Sequence, residues 1–171
     1  MRQSPRAGTA SEPTTVASPV TDSFLGALAS MTAAFEAAKV PAAVVGGVAV
    51  SLLGRPRFTR DIDALVDLDE AHWPDLIEAS RRAGIVPRIE GALEFASRSR
   101  VLLLRHVLSQ IDIDIILGGL PFERSAVAAA QPRSLGGVLI RLPRVEDASR
   151  LAGACCGDCP RRGLPLPFQL I

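Results

Sequence analysis

VVGGVAVSLLGRPRFTRDIDALV, residues 44–66, carries three different local signals in one segment. Its opening, from Ala42, is a short apolar run that ends at Gly46 and Gly47, the pattern of a buried strand closing on a glycine turn. AVSLLG then reads as a helix begun by that pair and stopped at Gly54. The segment DIDALVDL alternates with period two, setting Asp61, Asp63, Leu65 and Asp67 on one face and Ile62, Ala64, Val66 and Leu68 on the other. Residues i and i+2 of a strand point the same way, so Asp61 and Asp63 present two carboxylates about 6 to 7 Å apart.

Further along the chain the pattern repeats. IDIDIIL, residues 111–117, places Asp112, Asp114 and Ile116 on one side and four aliphatic residues on the other. Laid beside the first acidic strand, it would complete a three-carboxylate site. Oxygen donors of this kind suit Mg²⁺ or Mn²⁺, since Mg²⁺ is usually held by one or two carboxylates together with substrate phosphates. Gly46 and Gly47 fit the same chemistry, because amides at the start of a helix can face phosphate oxygens with no Cβ in the way. Arg55, Arg57 and Arg60 lie just ahead of the acids and suit phosphate neutralisation.

Taken together, these residues resemble the signature of the DNA polymerase beta-type nucleotidyltransferase superfamily, and within it the bacterial AbiEii-type, toxin-related domains. The resemblance spans roughly residues 40–130, including IDIDIILGGLPFERSAV. It implies an α/β fold of the α+β kind, a small mixed sheet with flanking helices. It maps Gly46 and Gly47 to the phosphate-binding turn; Arg57 and Arg60, by their position just ahead of the acids, are the candidate nucleotide-binding arginines. Asp61 and Asp63 become the metal pair and Asp114 the third carboxylate, which also accepts the proton of the attacking hydroxyl; Asp112 is its rival. The implied reaction is transfer of a nucleoside monophosphate from a triphosphate to a hydroxyl on RNA, such as tRNA, or protein, in a toxin-like setting with a cognate antitoxin. The alternative is a nucleotide- or partner-binding module of the same fold that has lost catalysis. A phosphohydrolase using the same acids is a third reading. The family often continues into a helix bearing a lysine, whereas nothing after Lys39 in this chain is lysine.

Bulk properties leave room for this. The chain has 171 residues, 48% of them hydrophobic and 22% charged, enough apolar material for one core. A net charge of +1 supplies no long-range field toward nucleic acid or anionic lipid, so any nucleic-acid contact is local. No apolar run reaches the roughly 18 residues of a spanning helix, so we expect a cytoplasmic protein with no membrane association. Cys155, Cys156 and Cys159 lack a fourth ligand nearby and read as free thiols rather than a zinc site.

Outside the site, residues 1–20 read as a disordered leader and 21–147 as the domain. Phe24, Leu28, Met31, Phe35 and Ala38 mark a first helix capped by Thr21, Asp22 or Ser23. Asp69 is placed to cap a helix whose inward stripe is Trp73, Leu76, Ile77, Ser80 and Gly84. IVPRI, LEFAS and VLLLRHV read as two or three strands, FERSAVAAA as a helix and VLIRL as the last strand. Residues 148–171 read as an irregular tail. His106 reads as a satisfied structural histidine. Glu94, Glu123 and Glu146 read as solvated or paired with arginines.

Overall fold

Alternating and helical patterns together build a layered α/β unit. The computed structural model describes residues 19–53 and 60–154. Helix α1 (Pro19–Ala37) precedes strand β1 (Ala42–Val45), helix α2 (Gly46–Leu53) and strand β2 (Ile62–Asp67). A single 3₁₀ turn leads into α3 (Trp73–Arg82), followed by β3 (Ile85–Pro87), α4 (Ala92–Ser99), β4 (Val101–His106) and β5 (Asp112–Gly118). Helix α5 (Pro121–Ala128), the β6 (Gln131–Leu135) and β7 (Val138–Leu142) hairpin, and α6 (Val145–Ala154) complete the described chain.

The main sheet runs β1-β2-β5-β4-β3. Only β2 and β5 are parallel neighbours; the other pairs are antiparallel. One face is closed by α1 and α3. There Leu28, Met31, Leu76, Ile62, Ala64, Val66, Leu102, Leu104, Ile113, Ile115 and Leu117 form one core with little or no exposure. On the other face a smaller cluster joins Ala43, Val45 and Leu65 to Val127 and Ala130 of the α5 region, with Leu151 of α6 packed against it. The acidic face expected for β2 is therefore half covered: Leu65 is fully buried while Asp63 stays partly open.

Ile115 lies in the middle strand and is 1% exposed, so truncation leaves a cavity the sheet cannot collapse around. Ile115→Ala is expected to cost about 2 to 5 kcal/mol, read as a lower denaturant midpoint at unchanged slope.

Several elements differ from the expectation. Helix α1 begins at Pro19, so Thr21, Asp22 and Ser23 lie inside it and do not cap it. Proline suits a first helical turn, where its missing N–H costs nothing. LEFAS is part of helix α4, not a strand: Ala92 and Ala96 are buried at i,i+4 spacing, and Glu94 pairs with Arg98 on the exposed side. Asp69 makes no side-chain cap and sits 3.8 Å from Arg124. Strand β6 was not anticipated, although Gly136 and Gly137, both at positive φ, supply the turn a two-residue hairpin needs. Residues 148–154 are helical as the continuation of α6, so the irregular tail does not begin at 148. The three cysteines lie outside the described residues.

Candidate functional site

Parallel pairing of β2 with β5 sets Asp63 directly beside Asp114. In-register neighbours point to the same face, and the buried aliphatic residues on either side of each acid take the opposite face. The two carboxylates expected to converge do so, from segments fifty residues apart in sequence. Asp114 is only 6% exposed and Asp63 half-buried. Asp61 precedes β2 on a bend, with the parity of Asp63.

Above this pair sits the glycine turn. Val45 pairs with Asp63, and the next residue, Gly46, adopts φ +62° as it opens α2. A Cβ on Gly46 would fall 2.0 Å from Asp63 Oδ2, so the carboxylate lies against the start of the helix. Gly47 follows inside the first turn. That turn carries amides with no intrahelical partner and the positive end of the helix dipole, an environment suited to negative oxygens.

Two arginines escaped the sequence reading. Arg88, at the end of β3, donates from Nη2 to Asp114 Oδ1 at 2.6 Å and from Nη1 to Asp112 Oδ2 at 2.5 Å. Arg105, opposite Asp112 on β4, donates from Nε to Asp112 Oδ1 at 2.6 Å. A lone cation interrupting each of two apolar strand segments was the available signal; its partner lies on another strand. Asp112 is thus held by two guanidiniums, which outweigh the upward push of burial and keep its carboxyl below the usual carboxylate range. Asp114 behaves the other way. Burial raises it, Arg88 opposes, and the charges of Asp63, Asp112 and Asp61 add to the rise, leaving it at about 6. Of the two acids of β5, Asp114 stands in register with Asp63 and pairs with Arg88, while Asp112 pairs with both Arg88 and Arg105.

A pH dependence follows. In the folded chain Asp114 takes up its proton near pH 6, whereas the unfolded carboxyl does so near 3.8. The folded state binds the extra proton between these values, so this group's contribution is full below the lower one and is lost as pH rises through the upper. Two units correspond to roughly 3 kcal/mol at most. Asp112, with a lowered value, acts only below that window. We expect melting temperatures in EDTA to fall between pH 4.5 and 7, and Asp114→Asn to remove the decline.

Among the described residues no group of three or more His, Cys, Asp or Glu is gathered closely enough to grip an ion unaided. The arrangement still fits a hard cation: the donors are all oxygens, Asp63 and Asp114 lie in register on adjacent strands, and Asp63, Asp112 and Asp61 all add negative charge near Asp114. Arg60 is exposed just before β2, and Arg55 and Arg57 lie outside the described residues. His106 does not approach the acids. It projects from β4 to the opposite face, 5% exposed, between Ser30 and Ser109 hydroxyls at 3.3 and 2.8 Å. Burial lowers its pKa. Asp67 pairs with Arg124 at 3.4 Å. Glu123 is partly exposed; its Oε2 accepts from the N–H groups of Gly119 and Leu120 at 2.8 and 3.0 Å and caps α5. No described helix is long and apolar enough to cross a membrane.

No family model matches the chain, and no curated protein matches it. Solved structures do. The solution structure of the antibiotic-resistance factor ANT(2'')-Ia is 15% identical with a TM-score of 0.58, covering 85% of this chain and 78% of its own. A protein from Thermotoga maritima described as a nucleotidyltransferase is 14% identical with a TM-score of 0.56, covering 79% and 86%. The crystal structure of ANT(2'')-Ia with adenylyl-2''-tobramycin is 16% identical with a TM-score of 0.54, covering 85% and 82%. The mixed sheet and flanking helices are the nucleotidyltransferase fold.

Proposed function

We propose that a chain with this fold is a metal-dependent nucleotidyltransferase, moving a nucleoside monophosphate from a triphosphate to a hydroxyl acceptor. The observation that carries the reading is Asp63 in register with Asp114 on parallel strands, beneath the Gly46 turn. Asp61, Asp63 and Asp114 would hold Mg²⁺ or Mn²⁺. Such cations, when bound, would supply charge neutralisation for the phosphates and for the negative charge that develops in the transition state.

The chain's own residues supply the rest. The first-turn amides of α2, at Gly46 and Gly47, face the phosphate oxygens, and Arg57 and Arg60 offset their charge. The acceptor hydroxyl oxygen bonds to the α-phosphorus, the bond to the bridging oxygen breaks, and pyrophosphate leaves. The hydroxyl proton passes to Asp114 as general base.

The AbiEii-type resemblance supports RNA or protein as acceptor, a toxin-like setting and a cognate antitoxin. The neighbour bound to adenylyl-2''-tobramycin supports a small-molecule hydroxyl as the second reading of the acceptor. Incubation with Mg²⁺ and each α-labelled triphosphate, with tRNA, a protein extract or an aminoglycoside, separates these. Label carried into one acceptor class, and lost with EDTA, is the expected result. Label released free supports a phosphohydrolase, and triphosphate bound without turnover supports a non-catalytic module.

A further inference from the structure

Asp112 and Asp114 sit two residues apart on β5, and one planar guanidinium ties them together. Arg88 is fixed at its backbone, where its N–H donates to Leu103 O at 3.0 Å, and its side chain is 19% exposed. The two carboxylates are not held alike. Among the described residues Asp112 is paired with both Arg88 and Arg105, whereas Asp114 is paired with Arg88 alone. Letting go of Asp114 would leave Arg88 anchored through Asp112, still on the acid face.

We propose that Arg88 is a positioning residue, an internal counter-cation that holds Asp114 and that a divalent ion must displace from it. The inference rests on the metal-dependent reading above. Before the ion arrives, the guanidinium keeps Asp114 oriented beside Asp63 and offsets part of the local negative charge. As the ion binds, two positive centres compete for one carboxylate, and the fork swings onto Asp112. The planar fork presents its N–H donors to the two carboxylates in a fixed geometry, whereas an ammonium on a flexible stem is a compact point charge.

Titration calorimetry with Mn²⁺ alone, at pH 8, tests this on the full chain. R88Q removes the competitor and is expected to bind Mn²⁺ about tenfold more tightly, the size of one modest close charge coupling. R88K, which keeps the charge but not the fork, is expected to fall between R88Q and wild type, and carries the test should R88Q not fold. Melting temperature should rise more on Mn²⁺ addition in R88Q than in wild type, since tighter binding to the native state stabilises it more. A purely structural arginine would give the opposite, a loosened site and weaker binding. Unchanged or weaker Mn²⁺ affinity in the variants overturns the inference. Wild-type protein that binds no Mn²⁺ overturns the metal-dependent reading itself.

Discussion

Asp63→Asn is expected to reduce label transfer at least about a thousandfold while leaving the fold intact. A bound cation contributes several kcal/mol to a phosphoryl transition state, and about 4 kcal/mol at 1.36 per decade is three orders of magnitude. Asp63 is half-buried and matched in size by Asn, so the fold loses little. The comparison with Asp112→Asn is informative. Asp112 is held by Arg88 and Arg105 rather than set against Asp63, so its loss should cost roughly 10- to 100-fold, the range of a partner that orients a ligand. Equal losses in the two variants, measured as kcat/KM under the same Mg²⁺, would contradict these assignments.

Gly46→Ala should damage both stability and activity through a single methyl group. At φ +62° an L-residue is strained by about 1 to 2 kcal/mol. The new Cβ would also lie 2.0 Å from Asp63 Oδ2 and 2.7 Å from its Cγ, so the carboxylate has to leave its place. Activity is expected to approach that of Asp63→Asn, with melting several degrees lower. Gly26→Ala is the control. Gly26 lies on an exposed part of α1 with nothing within 4 Å of the added atom, and helix propensity favours alanine there by about 1 kcal/mol. A Gly46→Ala enzyme with full activity would show that the close approach has no catalytic consequence.

The acids were legible because strand alternation is local: Asp61 with Asp63, and Asp112 with Asp114, announce their faces in the sequence. Their convergence was not. Which strand lies beside which, and in what register, is set by the packing of Ile62, Ile113, Ile115 and Leu117 under α1 and α3, long-range contacts that leave no local trace. Arg88 and Arg105 were missed for the same reason, since each is explained only by an acid on another strand. LEFAS was misread because its inward residues are alanines, too weakly apolar to announce a helical stripe. Strand β6 is polar, contains Pro132 and among the described residues pairs with β7 alone, so it lacks the alternation of a half-buried strand.

Charge explains why the site sits where it does. A buried carboxyl at about 6 beside a second acid is poor for stability, and neither core satisfaction nor sheet pairing requires it. Its presence is consistent with ground given up locally for a function that needs negative charge.

The most direct test is crystallographic. A crystal soaked with Mn²⁺ and a non-hydrolysable triphosphate should show an anomalous peak shared by the carboxylate oxygens of Asp63 and Asp114, at about the 2 Å expected for such oxygen ligands. The phosphates should lie on the first turn of α2. Mn²⁺ bound elsewhere, or triphosphate bound with Arg88 still on Asp114 and no ion between the acids, would contradict the account.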